Sequence, residues 1–504
     1  MSNPSLPAKT AYKVCEQWLT TFWNDCCGIH IAQIGELLTL PNSSWEKGGG
    51  PMKKLYIRSC YTTIMAEIVK ESKTHVLVRG TPGIGKSAFL FYYIYYVAQM
   101  NGDNVSICLT YLHNEAKCTA YLLRVNGVAT VSATCVGVPD YHFSDSVDIS
   151  TAGSSTKLTI LFASIDEAHF KEFVKAKSSV VGAWDIYMPL VKFEELENMV
   201  PNQSDYDMES LQFRHDIMGG SARNCLDVGN YSEPNEETSS NISEALKLFF
   251  PHIDEAAQRW AVNTLGLHIE TLLSSEGAEH LKRSVFQHVY VDCTNFRKTS
   301  QSFCSNFMKY LCGRILKTKT ETIQQRITKL FGDCGAGVVF EAMAFDTILN
   351  NLQDKKEYTM RNLDNTKKTA ILKLPDGNSE LTKVLIRKIE DIKQLKNGDI
   401  GVPVVGNFPL IDFVIKKPPT FLQMTISTKH SGAETKLTAI QKALGGQTKS
   451  HKMVFVTPHT NVMIFSRCKN MNIKQFVMCD DLTASSDVLG GPPRKKSKGS
   501  HSGN

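Results

Sequence analysis

Apolar and polar positions along this chain recur with two different periods, and the places where the period changes mark its elements. From about residue 55 to 230, short apolar runs of strand length alternate with longer stretches of helical period. "IRSCYTTIMAEIVKE" and "SAFLFYYIYYVAQ" read as helices, and "HVLVR", "NVSICLTY" and "KLTILFASIDE" as strands. Apolar strands separated by helical stretches predict a doubly wound parallel sheet over residues 55–235. Residues 236–330 carry helical period in "ISEALKLFF", "EAAQRWAVNTLG" and "HLKRSVFQ" and predict a helical region. From 331 to 480 the expected order is helix, strand, strand, strand, helix, strand. Two flanking segments complete the division. Residues 1–54 hold one amphipathic stretch and the loop "NSSWEKGGGP", and residues 481–504 form a small, polar tail expected to be disordered.

Bulk composition narrows this picture only in part. At 504 residues, 42% hydrophobic and 21% charged, the chain is too long for one core and reads as an ordinary globular protein of several domains. Charge is distributed unevenly. Residues 331–504 hold 25 Lys and Arg against 16 Asp and Glu, while the whole chain carries only +6, so the first 330 residues are slightly acidic. The C-terminal third is therefore the place to expect a polyanionic partner. Fourteen cysteines are scattered without C-x-x-C or His/Cys ligand spacing, which points to reduced thiols. No apolar run is long enough to predict a membrane span, and the first residues show none of the marks of a secretory leader.

Chemistry enters at "GTPGIGKS", residues Gly80, Thr81, Pro82, Gly83, Ile84, Gly85, Lys86 and Ser87, a full match to G-x-x-x-x-G-K-[ST] placed between a strand and a helix. The glycines let backbone N–H groups turn inward around phosphate at a helix N-terminus. Lys86 is then expected to reach the β and γ phosphates and Ser87 to hold Mg²⁺, which makes ATP and Mg²⁺ the expected cofactors. The strand "LTILFASIDE" ends in Asp166 and Glu167, candidates for holding the metal and polarising the attacking water. An acidic cap on the following helix is the alternative. In "MGGSARNC", Arg223 opens a helical stretch and is either a contact to the γ phosphate or a surface arginine.

"YIRSCYTTI", "VLVRGTPGIGKSAFLFYYIYY", "SIDEAHF", "YMPLVKFEELENM" and "GGSARNCL", in this order, resemble the P-loop NTPase module of Crinkler effectors and the related retrotransposon hot spot proteins. The resemblance covers roughly residues 55–460, and "PLIDF" with "FLQMTISTKH" looks like the core of the C-terminal nuclease-like domain common in that family. It implies an AAA-like or STAND-like ATPase joined to a restriction-endonuclease-like α/β domain. It also implies a protein secreted by a eukaryotic microbe that acts in a host cell nucleus. The leader stretch typical of oomycete Crinklers does not occur in the first fifty residues.

Restriction-like nucleases need acidic residues around a metal and a lysine or amide near the attacking water. The helix "GVVFEAMAFDTIL" offers Glu341, and the strands around a Lys-Lys-Pro-Pro turn offer Asp412 and Gln423, so Glu341 and Asp412 are the expected Mg²⁺ ligands. Counting from Pro418 sets Asp412 opposite about residue 424, beside Gln423 and Thr425. Thr425 stands where the lysine is expected, so Lys429 or Lys416 must reach in, or His430 must act as base. The alternative is a hairpin in which Asp412 bridges locally and Gln423 is a core amide. A second arrangement draws a His-Asn-His type site from His430, His451, His459 and Asn461. In the tail, Arg494, Lys495, Lys496 and Lys498 suit a nuclear import receptor or a phosphate-contacting arm. The expected partners are double-stranded DNA and ATP. The competing readings are an ATP-dependent signalling scaffold that binds partners without cleaving DNA, and a transposon-derived protein.

Overall fold

The computed structural model describes residues 19–27, 34–39, 45–46, 51–52, 54–70, 74–102, 104–113, 116–134, 137–149, 156–164, 170–171, 173–174, 183–200, 207–226, 233–274, 287–319, 325, 328, 335–353, 357–365, 368–372, 382–404, 408, 410–427, 434–445, 450–468 and 471–479. The chain divides into two compact units. The first comprises residues 1–215, 220–227 and 288–300, and the second 216–219, 228–287 and 301–504. No helix among the described residues is long and apolar enough to cross a membrane.

Unit 1 is built on a seven-stranded sheet. Its strands are β1 (His75–Arg79), β2 (Val105–His113), β3 (Ala116–Val125), β4 (Val128–Ser132), β5 (Tyr141–Asp145), β6 (Leu158–Ala163) and β7 (Ala183–Tyr187), in the order β7-β1-β6-β5-β2-β3-β4. The first five in that order pair in parallel, as the alternation of strands and helices predicts. β3 and β4 add an antiparallel edge that the sequence reading did not resolve into strands. Helix α1 (Ser59–Lys70) precedes β1, and α2 (Lys86–Met100) follows it. α2 is apolar around most of its circumference and buries ten of its fifteen residues, which suits a helix covered on all sides rather than an amphipathic surface one. The short helices α3 (Phe193–Met199), α4 (Met208–Met218, whose last three residues belong to unit 2) and α5 (Ala222–Leu226) complete this part of the chain.

Unit 2 contains the helices α6 (Glu236–Phe249) and α7 (Glu255–Ser274), which pack on each other. Gly266 in α7 lies against Pro234, where a Cβ would stand 2.3 Å from the proline ring. The helical expectation for 236–330 needs correction at 287–303. Gln287–Asp292 (β8) and Asn295–Phe303 (β9) form a β-hairpin, most of which belongs to unit 1. "HVYVD" is a β-branched, alternating run, and "CTN" supplies its turn, in which Thr294 N and Oγ1 both donate to Asp292 Oδ1.

Beyond the hairpin come α8 (Asn306–Thr318) and α9 (Gly335–Gln353). The strands β10 (Tyr358–Asn362), β11 (Thr369–Leu372), β12 (Lys383–Ile386), β13 (Ile400–Pro403), β14 (Phe413–Ile415), β15 (Thr420–Met424), β16 (Lys452–Thr457) and β17 (Lys474–Cys479) follow, with α10 (Glu434–Leu444) after β15. They form one eight-stranded mixed sheet in the order β11-β10-β17-β16-β15-β14-β13-β12. The expected count of strands was too low because β10 to β13 are short, four or five residues each, and too brief for a period of two to show. One sheet face, with Val414, Phe421, Met453, Phe455 and Val477, packs on Leu437, Ile440 and Leu444 of α10. On the other, Phe413 stacks on Phe345 of α9 with ring centroids 4.3 Å apart.

Candidate functional site

The P-loop sits where β1 ends and α2 begins, at the carboxyl edge of the parallel strands, where ligands bind in open α/β sheets. Gly83 and Gly85 have φ of 81° and 95°, left-handed values that side chains resist, and these two turns make the loop's wrap. Gly80 has no room for a side chain either. A Cβ there would lie 2.6 Å from Ile84 Cδ1 and 3.0 Å from the Met188 carbonyl. Lys86 is nine-tenths buried and turns back into the loop, donating to the carbonyls of Gly80 and Thr81 at 2.9 Å each.

Four contacts from distant parts of unit 1 hold this loop. The fully buried Thr81 Oγ1 accepts from Val289 N of the β8–β9 hairpin at 2.9 Å. Ser221 Oγ donates to the Pro82 carbonyl at 3.2 Å, and Arg223 N donates to the Gly83 carbonyl at 3.2 Å. Arg58, 1% exposed, donates from Nη1 to the carbonyls of Ile84 and Pro189 and from Nη2 to Leu190. It also grips Glu195 through Nε and Nη2 at 2.9–3.2 Å. Burial works against the Arg58 charge, but the neighbouring Cys60, Glu195 and Tyr61 outweigh it, Glu195 also through its hydrogen bonds, and the Arg58 pKa rises. Arg223 thus has its backbone docked on the P-loop while its side chain is exposed at the rim.

Ser87 brings in a residue that the sequence reading missed. Its hydroxyl donates to Asp145 Oδ1 at 2.9 Å. Asp145 closes β5 and is 3% exposed, and Ser146 Oγ donates to the same oxygen at 3.2 Å. Its strand, "YHFSD", is short and half polar, so it does not stand out as a core strand in the sequence. The strand expected to carry the carboxylates, β6, does lie beside β1, with Ala163 paired to Arg79. Asp166 and Glu167, just past it, fall outside the described residues.

In unit 2 the expected residues Glu341 and Asp412 do converge, and they converge on a lysine. Lys309 of α8, 1% exposed, places Nζ 2.7 Å from Asp412 Oδ1 and 3.3 Å from Glu341 Oε2. The ammonium also lies 5.4 Å from the centre of the Phe345 ring. Asp412 Oδ2 accepts from Met424 N at 2.8 Å. Regular pairing in the hairpin runs Phe413 to Leu422 and Ile415 to Thr420, so Asp412 falls across from Gln423, one residue short of the expected position. Leu410 has φ of 62° and bends the chain ahead of the strand. Ile411 and Val414 consequently belong to the α10 face, whereas Asp412 meets Lys309 of α8 and Phe413 meets Phe345 of α9 on the other, breaking the strict alternation of a strand.

Desolvation would lower the Lys309 pKa, but the two carboxylates overcome it and hold the ammonium charged. Glu341 keeps 34% of its side-chain area, yet its crowded setting and the Asp412 charge push its carboxyl up to about 7 despite the pull of Lys309. Among the other candidates, Lys416 donates to the Leu444 carbonyl at 2.7 Å and does not enter the site. Thr425 Oγ1 accepts from Ser427 N. Lys429 and His430 lie outside the described residues, as does the basic tail with Arg494, Lys495, Lys496 and Lys498. The His-Asn-His arrangement finds no support in its two described side chains. His451 Nε2 donates to the Gly445 carbonyl and Asn461 Nδ2 to that of Ile426. No group of three or more His, Cys, Asp or Glu gathers in metal-binding geometry among the described residues.

No family model and no curated protein sequence matches this chain. Among solved structures, the Holliday junction branch migration motor RuvB of Thermotoga maritima aligns at 14% identity over 44% of this chain and 69% of its own, with a TM-score of 0.21. At that score the reading of the site rests on the residues of this chain alone. What those residues define is a mixed α/β protein with a P-loop at the carboxyl edge of a parallel sheet.

Proposed function

We propose that this protein is a P-loop NTPase whose second unit binds and cleaves DNA, working as a Crinkler-like effector in a host nucleus. The observation that carries the nucleotide half is the Ser87–Asp145 hydrogen bond at 2.9 Å beneath a loop with Lys86 in place. A carboxylate held against the P-loop hydroxyl is the donor pair that Mg²⁺ takes alongside nucleotide phosphates. Lys86 has two carbonyl contacts to exchange for phosphate oxygens, and the loop's N–H groups supply the rest. Arg223, anchored on Gly83 through its backbone, has an exposed side chain with which to reach the γ phosphate.

The DNA half is supported by Asp412 and Glu341 meeting at one ammonium, and by the positive surplus of the C-terminal third. Two carboxylates suit Mg²⁺, which keeps several waters and needs only one or two protein oxygens when a phosphate is present. The effector role and the nuclear address rest on the order of sequence motifs and on the basic tail. Tagged protein followed in producing and recipient cells tests that part, and retention in the producing cell would defeat it.

The central test combines nucleotide binding with plasmid nicking. MgATP affinity measured by calorimetry should fall by about 100-fold or more in Lys86→Ala. In Asp145→Asn the affinity should lose most of its dependence on Mg²⁺ while ATP itself still binds. Unchanged MgATP affinity in both variants would remove the nucleotide assignment. Nicking with Mg²⁺ that persists undiminished in Asp412→Ala would remove the nuclease assignment.

A further inference from the structure

The hairpin that carries Asp412 and Gln423 has no lysine in the expected position, but unit 2 delivers one from a helix about a hundred residues upstream. Its placement is tightly constrained. Ser305 caps α8 by accepting from Met308 N and donates its own hydroxyl to the Ile217 carbonyl at 2.7 Å. Asn306 donates from its backbone N to Val404 O and from Nδ2 to Pro403 O at 2.7 Å. One turn further on, Gly313 lies directly against Ala342 of α9, so the two helices meet backbone to backbone beside Glu341. Lys309 is thereby aimed into the site by both ends of its own helix segment.

Geometry separates this cluster from an ordinary buried ion pair. A structural pair balances one cation with one anion, because each uncompensated buried charge is costly. Here two carboxylates share one ammonium, and Glu341, a third exposed, keeps the pair open to solvent on one side. The two carboxylates converge on one point, a locus for a further cation, and Lys309 sits between the two groups that would ligate it.

We propose that Lys309 is the resident counter-ion of the Asp412–Glu341 pair and the lysine that the hairpin lacks. It competes with a divalent cation for the two carboxylates and, once displaced from them, presents its ammonium to a phosphodiester. This rests on the reading of unit 2 as acting on DNA. In the hydrolysis, a bond forms from the water oxygen to phosphorus as the bond from phosphorus to the sugar oxygen breaks. The water releases one proton to solvent and the leaving oxygen takes one. Lys309 contributes charge throughout and neither gains nor loses a proton. The burial of the ammonium against the Phe345 ring keeps that charge poorly solvated and therefore effective.

The test uses the full chain and two readouts. Calorimetric titration with MnCl₂ alone measures the carboxylate pair directly, and single-turnover nicking of supercoiled plasmid measures the chemistry. Removing the competing charge in Lys309→Met is expected to tighten Mn²⁺ binding by about tenfold or more. The nicking rate at saturating Mn²⁺ should fall by about 100-fold or more. Lys309→Gln, nearly as long and polar, provides the same measurement should the Met variant fail to fold, which circular dichroism reports. Mn²⁺ affinity that is unchanged or weaker in the folded variants overturns the proposal, because a purely structural lysine would leave the pair disordered or indifferent. So does a nicking rate that survives the substitution. If Mn²⁺ binding tightens as expected but the parent chain nicks no DNA, the DNA reading fails while the competition between Lys309 and the cation stands.

Discussion

The close approach of α8 and α9 at Gly313 gives the sharpest test of how unit 2 is assembled. A Cβ at position 313 would stand 2.0 Å from the Ala342 carbonyl oxygen, 2.6 Å from its carbon and 3.2 Å from Met343 N. Carbon–oxygen contacts settle at about 3.3 Å or more, so Gly313→Ala must drive the helices apart by about 1 Å. Two effects oppose each other. Alanine is better than glycine inside a helix by about 1 kcal/mol. Overpacking against a backbone atom, which cannot swing aside as a side chain would, costs about 3 kcal/mol. The clash wins by about 2 kcal/mol, equivalent to about 30-fold in the opening equilibrium. The Lys309–Glu341 contact, already 3.3 Å, is expected to open with it, while Lys309–Asp412 at 2.7 Å holds. Amide hydrogen exchange on peptides covering 306–318 and 335–353 should show that loss of protection, accompanied by a lower urea midpoint. An alanine variant protected as well as the parent would refute the backbone-to-backbone packing.

Other substitutions probe unit 1. Arg58→Lys cannot reproduce the fork to Glu195 together with three carbonyl contacts, and should destabilise the unit by about 3 kcal/mol in denaturant titration, with MgATP affinity falling in parallel. Thr81→Val removes the acceptor of the Val289 N–H and should cost about 1–3 kcal/mol while leaving the size of the loop unchanged. His142, whose Nε2 lies 3.1 Å from Thr110 Oγ1, has its pKa lowered from 6.5 to about 4, chiefly by burial, with Lys117 adding to the effect. Between those values the unfolded chain holds a proton that the folded chain does not. The contribution of this group to stability is therefore intact above about 6.5 and declines as pH falls towards 4. Melting temperature followed across that window should vary less steeply in His142→Gln than in the parent.

Some of this protein is legible in its sequence because the determinants are local. The P-loop gathers its phosphate ligands within eight consecutive residues, Gly80 to Ser87, and the preceding strand His75–Arg79 and following helix Lys86–Met100 stand where their apolar periods put them. The hairpin around Lys417 and Pro418 is likewise a matter of neighbouring residues, and its register came within one position. Short strands escape notice because four or five residues carry too little period to be seen, and the β8–β9 hairpin is submerged in a region dominated by helices.

What only the tertiary structure decided is which distant residues complete each site. Asp145 lies 58 positions from Ser87, and Lys309 lies 103 positions from Asp412. Neither pairing leaves a mark on the local pattern, because an aspartate at a strand end and a lysine in an amphipathic helix are unremarkable in isolation. The packing of α8 on α9 at Gly313, and the bend at Leu410, turn Lys309, Glu341 and Asp412 towards one point. Sequence sets the chemistry each residue can offer. Where a side chain ends up depends on how helices and sheet meet, and that is a sum over contacts no single stretch contains.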